Sequence, residues 1–530
     1  MNDKEFNLLT EPWIKVLRLD GNEDMVSLKN VYEHAHEYRA LAGEAVTQDV
    51  AMLRFLLAVL HCVYEGNNAN GEPLTDAEDT DDIYDTWHSL WECKRFEVGP
   101  IHTYLDKHSE HFWLVHPQYP FYQVSEFRKN AKVKEVGLNK LIGNIAESNN
   151  KRRLFNHRPN CESISMAEAV RWLLNLQAWD DTSNKGGSGT GWLGQIGSIM
   201  IEGNNMFETL LLNLILVPDG SERIWGKGEA IWERSSVNHK VKIPLPANPK
   251  LLLTLQSRCV KLLCKEHCVI GYVTADKDAG EYFADNNRHL CFAEQFTTWK
   301  EVGPKNKKEI VPMKYSIDKR LWQGFASLIT LKQQTSGRHN PGILAWYSKL
   351  VNEGYLRGTR IVKIVCVGIE YGNMNMSVLT SVVDTLAYPG NLLQERYDNW
   401  GERIIAIVAV TDQLVGALKR FVGDIGLDNQ HISEQTYAKL DIPFRRWLAN
   451  INPEQDDIDE DMNQWYIQAQ HIIRMCGKEI AGLENSSRYI RLVTSRQEKK
   501  RKISVLSVSE AYNDFLYRTP KQQDKLAKFK

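Results

Sequence analysis

Apolar positions recur along this chain in changing rhythms, and the changes divide it. The opening FNLLTEPWIKVLRLDGNEDMVSL alternates apolar and polar residues around Asp20-Gly21, which predicts a β-hairpin. The run VAMLRFLLAVLHCVY (50–64) predicts a strongly apolar helix. Ser165 and Glu168 form a capping box at the head of MAEAVRWLLNLQAW and predict a helix start. A glycine-rich segment comes next, then a strand-like SIMIEG and a helix over MFETLLLNLILV. From about Lys240 to Tyr371 short β-branched runs such as RIVKIVCVGIEY (360–371) lie between turns. No repeat appears at solenoid periods.

After roughly residue 375 the rhythm becomes helical. LLQERYDNWGERIIAIVAVTDQLVGALKRFVGD, EQTYAKLDIPFRRWLANI, DMNQWYIQAQHIIRMCGKEIAGL and SVLSVSEAYNDFLYR follow one another through short polar loops, without strand signals. Such connections favour an antiparallel bundle. The expected fold is α+β: a large mixed domain over 1–375 and a C-terminal four-helix bundle over 376–530.

Composition adds bounds. A chain of 530 residues exceeds a single core and calls for two or three domains. The start MNDKEFNLLTEPW lacks a secretory h-region, and the apolar run LLLNLILV (210–217) is too short to span a bilayer. Nine cysteines without framework spacing fit free thiols in a reducing compartment. A cytoplasmic protein with no membrane role is therefore expected. The net charge of −2 argues against coating nucleic acid by bulk electrostatics. Charge is localised instead: from Ser486 onward there are twelve Lys+Arg against four Asp+Glu, centred on Lys499, Lys500, Arg501 and Lys502. ESNNKRRLFNHRP (147–159) is also basic, with Phe155 and His157 interleaved.

Candidate chemistry narrows further. Six glycines fall between Gly186 and Gly197. Gly189-Thr190-Gly191-Trp192-Leu193-Gly194 matches G-x-G-x-x-G, but the dinucleotide fingerprint needs a strand before it and a helix after it. The pattern here predicts a helix before and a strand after. The Walker ending Gly-Lys-Ser/Thr is missing, and Thr190 stands where a nucleophile elbow needs its last glycine. A flexible surface loop stays open as the simplest reading. His102, His108, His111 and His116 lack H-E-x-x-H spacing and are expected on the surface or in packing. Cys259, Cys264, Cys268 and Cys291 lack knuckle spacing and read as buried free thiols. No catalytic set stands out, so no enzyme, cofactor or metal is expected. Lys151, Arg152 and Arg153 beside Phe155 offer phosphate contacts and a stacking face, or else a solvated loop with one anchoring aromatic. The run Lys499–Lys502 reads equally as a nucleic-acid contact, a solvated helix end or a linker.

Several motifs together resemble one family. Phe6-Asn7-Leu8-Leu9-Thr10-Glu11-Pro12-Trp13-Ile14-Lys15-Val16 is similar to the start of the CasA family, the large subunits of type I-E CRISPR Cascade complexes. Pro120-Phe121-Tyr122-Gln123, the Phe155 loop, the glycine loop and Leu253-Thr254-Leu255-Gln256-Ser257-Arg258 follow in the family's order. The resemblance spans essentially the whole chain. It implies a non-catalytic subunit, one copy per complex, that recognises a protospacer-adjacent motif in double-stranded DNA, helps open the duplex into an R-loop, and recruits a helicase–nuclease for antiviral defence. Its partners would be CRISPR RNA, the other Cascade subunits and the target duplex. By resemblance, Lys185, Gly186, Gly187, Ser188 and Gly189 would approach the minor groove, where a missing Cβ lets backbone come close to base edges. Lys151, Arg152, Arg153, Phe155, Asn156 and His157 would meet the guide's 5′ handle. Arg338, His339 and Asn340 would form the wedge that parts the first base pairs. Family wedges often carry glutamine where Asn340 stands. Gln295 lies where some relatives carry a lysine that assists motif reading. A stand-alone nucleotide-dependent enzyme using the 186–197 loop is the alternative from another class.

Overall fold

The computed structural model describes residues 4–74, 80–127, 132–143, 161–182, 190–218, 225–234, 248–275, 293–304, 308–329, 338–483, 491–497 and 500–519. The chain divides into two compact units. The first comprises Met1–Ser316, Thr335–Leu350 and Ile364–Asp384, and the second Ile317–Gln334, Val351–Lys363 and Thr385–Lys530. The fold is mixed helix and sheet, as the apolar rhythm predicts.

The first unit opens with β1 (Ile14–Arg18) and β2 (Glu23–Val26), antiparallel across the expected turn, where Gly21 takes φ +89°. β3 (Tyr38–Leu41) pairs on the other edge of β1. The motif before β1 closes on itself: Leu9 N donates to Asn7 Oδ1 at 3.0 Å, Asn7 N to Glu11 Oε1 at 2.6 Å, and Trp13 Nε1 to Leu8 O at 2.9 Å. Helix α1 (Val46–Tyr64) is buried around most of its circumference. By length and composition it could cross a membrane, yet 83% of its apolar window is packed inside the protein. Phe55 on α1 is ringed by Trp13 (6.0 Å), Phe121 (5.4 Å), Tyr122 (6.2 Å) and Trp232 (5.6 Å), mostly edge to face. The opening motif and the Pro120–Gln123 motif therefore meet in one core.

β4 (Val133–Gly137) and β5 (Ile164–Ser165) precede helix α2 (Met166–Trp179). Ser165 caps α2 by accepting from Glu168 N at 3.2 Å, as expected, while the Glu168 carboxylate accepts from Trp172 Nε1. β6 (Ser198–Glu202) leads to α3 (Met206–Asn213). α3 is shorter than its apolar run because Asn213 turns back: its amide donates to Ile201 O at 2.7 Å and accepts from Ile201 N at 3.0 Å. β7 (Cys259–Lys265) and β8 (Cys268–Ala275) form a hairpin, with β4 and β5 along the other edge of β8. β9 (Trp299–Val302) pairs with β10 (Glu309–Pro312) and with β11 (Arg338–His339). Helix α4 (Gly342–Asn352), then β12 (Ile361–Tyr371) and β13 (Val378–Pro389), complete the order, and β12 lies between β13 and β6.

The second unit holds α5 (Asp398–Asp424), α6 (Ile432–Asn450), α7 (Ile458–Leu483) and α8 (Val508–Arg518). α5 packs against each of the other three. The expectation of a strand-free region fails here. β14 (Arg491–Gln497) and β15 (Lys500–Leu506) form an antiparallel hairpin before α8. Val493, Thr494, Ile503 and Val505 are β-branched and favour strand, while the cations around them read as a solvated run. α8 begins only at Val508, with Ser507 and Glu510 making a reciprocal capping box. The core of this unit is aromatic. Phe444 stacks on Trp322 at 4.3 Å and meets Trp465 edge-on at 5.0 Å, and Trp465 Nε1 donates to Thr411 Oγ1 at 3.0 Å.

Phe444 is fully buried among these rings. Phe444→Ala is expected to destabilise the second unit by about 3–5 kcal/mol, the usual cost of an aromatic cavity. Chemical denaturation followed by tryptophan fluorescence would check this, and an unchanged midpoint would contradict the packing described.

Candidate nucleic-acid interface

The glycine segment is held firmly at both ends. On its incoming side α2 ends at Trp179, whose carbonyl accepts from Tyr371 Oη at 2.6 Å. Arg258, the last residue of the 253–258 motif, then grips the two acids that follow. Its Nε donates to the Asp180 carboxylate and its Nη2 to Asp181 O at 2.6 Å. Burial pushes the Asp180 carboxyl up, with the Arg258 charge pulling the other way. Gln177 completes the clamp: its Oε1 accepts from Arg258 N at 2.8 Å, and its Nε2 donates to Arg258 O and Tyr122 O, both at 3.0 Å. Thr182 donates through its amide to Asn375 O (2.9 Å) and through its hydroxyl to Met374 O (2.7 Å). Both acceptors sit in the β12–β13 turn with left-handed φ.

Residues 183–189, which include Lys185, Gly186, Gly187, Ser188 and Gly189, lie outside the described residues. On the outgoing side Gly191 N donates to Asp180 O at 2.8 Å, so the two ends of the loop are tied together. A Cβ on Gly191 would fall 2.3 Å from Ala178 O, and one on Gly194 would fall 2.1 Å from Tyr371 Oη. Gly197 is similarly pressed against the Tyr315 ring. Three of the six glycines are therefore needed for close packing. The turn Trp192–Gln195 and then β6 follow, which is the wrong continuation for a dinucleotide fingerprint.

Trp192 is anchored by a buried acid. Glu294 accepts from Trp192 Nε1 at 2.6 Å, from Arg54 Nη1 and Nη2 at 3.1 and 2.8 Å, and from Phe296 N at 3.1 Å. Arg54 and Glu294 are only 3% and 1% exposed, so each charge depends on the other. The next residue holds the segment that follows β11: Gln295 O accepts from Ile343 N at 3.1 Å, at the head of α4. Arg338 and His339 form β11, opposite Lys300 and Trp299 of β9, and Asn340 is half-buried between β11 and α4. Gln295 itself is buried, at 2% exposure.

Lys151, Arg152, Arg153, Phe155, Asn156 and His157 lie outside the described residues, whose nearest positions are Gly143 and Cys161. Lys500, Arg501 and Lys502 lie on β15 in the second unit, opposite Gln497, Arg496 and Ser495. A strand thus replaces the expected helix end or linker, and Lys499 lies outside the described residues. Cys259 and Cys264 are five residues apart on one strand, about 16 Å by strand rise, too far to share an ion. Cys259 is buried, whereas Cys264 is exposed and Cys268 intermediate, a correction to the expectation of buried thiols; Cys291 lies outside the described residues. Among the described residues no group of three His, Cys, Asp or Glu is placed to hold a metal. The histidines pack: His108 lies against Tyr104 at 4.8 Å, His111 against Tyr119 at 4.5 Å, and His116 Nε2 reaches Glu110 at 3.1 Å.

Comparison with known proteins bears on this arrangement. The family model for CRISPR-associated protein Cse1 matches residues 7–476. A CRISPR-associated protein CasA/Cse1 of Thermus thermophilus is 30% identical over 230 residues, 42% of this chain and 42% of that protein. The matched segment thus spans less than half the length of that curated relative. The crystal structure of Thermobifida fusca Cse1 superposes with a TM-score of 0.78 and 25% identity, covering 99% of this chain and 98% of that one. A chain of a CRISPR RNA-guided surveillance complex superposes with a TM-score of 0.70 at 16% identity, covering 98% and 99%.

Glu294→Gln is expected to destabilise the first unit by about 3–5 kcal/mol, because it leaves the Arg54 charge buried without its counter-ion. The double substitution Arg54→Met/Glu294→Gln should recover much of that loss, since it removes both charges while the introduced amide oxygen can still accept from Trp192 and Phe296. Urea denaturation of the three proteins checks this, and equal instability of the single and double variants would contradict it.

Proposed function

The chain belongs to the CRISPR-associated Cse1 family, and we propose on that premise that it is the large subunit of a type I-E Cascade surveillance complex. In this reading it reads a protospacer-adjacent motif, promotes R-loop formation and hands the opened target to a helicase–nuclease, itself performing no chemistry. The observation that supports the proposal is the shared support of the two segments it assigns to DNA. Glu294 anchors the outgoing end of the glycine loop through Trp192, and the adjacent Gln295 carbonyl anchors the residues after the wedge.

A loop that reads the minor groove must place backbone against base edges with little slack. Clamped ends supply that. Arg258, Thr182 and Gly191 fix where the loop leaves and rejoins the protein, so Gly186 and Gly187 can approach the groove at a reproducible height. Minor-groove reading separates A·T from G·C and little else, so a permissive motif follows. Asn340 acts next in this scheme, taking the space of a base pair as the strands part. Residues 151–157 would seat the guide's 5′ handle, with Phe155 as the stacking face. Lys500, Arg501 and Lys502 would add sequence-independent phosphate contacts. The alternative of a nucleotide-dependent enzyme loses its main support, because Gly191 and Gly194 are occupied in packing.

Gly186→Leu should sharply reduce binding of the assembled complex to motif-bearing duplex, because the side chain holds the loop out of the groove. Asn340→Ala should weaken binding to closed duplex but be largely rescued by a target whose first protospacer pairs are mismatched, since unstacking costs a few kcal/mol per step. Gel-shift titrations of both variants on closed and bubbled duplexes test the division of labour. Equal rescue of both would overturn it.

Replacing Lys499, Lys500, Arg501 and Lys502 together with Ala should lower affinity about equally for all sequences and flatten the dependence on salt. A changed motif preference with an unchanged salt slope would instead make this hairpin a specificity element.

A further inference from the structure

Lys314 follows β10 in the first unit and stands beside the roots of the glycine segment. Its chain neighbours are fixed. Met313 N donates to Thr298 O at 2.8 Å, and Met313 O accepts from Gly197 N, where the segment ends, at 2.9 Å. Tyr315 presses its ring against Gly197. The Lys314 ammonium lies over the Tyr371 ring, 5.7 Å from its centre. The Tyr371 hydroxyl in turn donates to Trp179 O, where the segment begins. One lysine is thus referenced to both ends of the same loop.

The charge of this lysine is uncompensated. Among the described residues its ammonium makes no ion pair, whereas Lys308, just before β10, is paired with Glu301 at 2.5 Å. Lys314 is exposed overall, yet partial burial of the ammonium pulls its pKa down, with no carboxylate to hold it up. An anion arriving from solvent meets a cation that is already held in place and has no competing partner in the protein.

The loop's length decides which anion comes near. Eight Cα steps join Thr182 to Thr190, so a loop running out and back stands at most roughly 13 Å above its roots. The minor groove is about 7.5 Å deep. When the tip touches base edges, the phosphates on the groove's rim come within about 6 Å of the level of the roots, which is the reach of a lysine side chain.

We propose that Lys314 grips a backbone phosphate of the target duplex beside the motif and so sets the depth at which the glycine loop enters the groove. It is a positioning residue and not a reader, because a phosphate contact fixes register without carrying sequence information. The inference rests on the reading of residues 185–189 as a minor-groove loop.

The test uses the assembled complex with motif-bearing and motif-free duplexes, in gel-shift titrations. Lys314→Gln should weaken binding to both by the same factor. That factor should be about 3.5 times larger at roughly 50 mM than at roughly 200 mM salt, as the loss of one phosphate contact requires. Lys314→Arg should keep both the affinity and the salt slope. Neutral methylphosphonates placed one at a time along both strands then locate the contact. At one linkage, or two adjacent ones, the replacement should weaken the unaltered complex but leave the Lys314→Gln complex no weaker than before. A loss independent of salt, or no linkage whose effect vanishes in Lys314→Gln, would overturn the proposal. So would failure of Lys314→Gln to assemble, which would point to a carboxylate on a neighbouring subunit instead. The urea midpoint of Lys314→Gln should be unchanged; a lowered midpoint with an unchanged salt slope would make Lys314 a packing residue on Tyr371 and overturn the proposal too. Gly186→Leu should erase the difference between the two duplexes, which Lys314→Gln preserves. That result without phosphate coupling at Lys314 would sink this inference alone, whereas an unaltered complex indifferent to the motif would sink the functional reading with it.

Discussion

A buried carboxylate sets the geometry on which the first unit's candidate site depends. Glu294 sits in the interior with four hydrogen bonds to three partners: Arg54 from the core helix, Trp192 from the end of the glycine segment, and its own neighbour Phe296. Such an ion cannot move without stranding a charge, and stranding it costs several kcal/mol. The turn at Trp192 is therefore tied to a helix buried along most of its length. Because the next carbonyl in the chain holds the head of α4, the segment between β11 and α4 is tied to the same point. Two loops distant in sequence gain a common reference through adjacent residues.

The incoming end of the glycine segment is fixed by a second, independent device. Arg258 bonds the carbonyl of Asp181 and the carboxylate of Asp180, while Gln177 locks Arg258 through both of its backbone groups. Removing one member would leave buried donors or acceptors unpaired, so the cluster acts as a unit. The two devices meet at Asp180, whose carbonyl accepts from Gly191.

How much of this was legible in the sequence varies with the physics of each part. The hairpin at Asp20-Gly21, the buried helix around Phe55 and the Ser165 cap follow from local periodicity and local chemistry, and the structure has all three. The shortening of α3 was hidden, because Asn213 stops it through contacts with a strand four residues upstream of the helix rather than through a helix-breaking signal. The β14–β15 hairpin was hidden by its own charges: a run of cations reads as a solvated face, and the β-branched residues on either side of it are too few to set a period of two. Arg54 and Glu294 could not be paired from sequence, since 240 residues separate them. One clue was available: an arginine in the middle of an otherwise apolar helix requires a buried partner.

The six glycines show why composition alone misleads. Counted together they suggest one flexible loop, and a phosphate cradle was a fair alternative. Gly191, Gly194 and Gly197 are excluded from that role by what a Cβ would strike: a carbonyl, a tyrosine hydroxyl and a tyrosine ring. The same amino acid thus serves two opposed ends. At the outgoing end it lets rigid parts pack closely, which stiffens the segment. At Gly186 and Gly187, in the proposed reading, it lets backbone approach a base edge. Only the first use leaves a signature inside the protein, because the second requires the partner. That asymmetry is general for recognition loops, whose supports can be read from the fold while their tips are defined by what they touch.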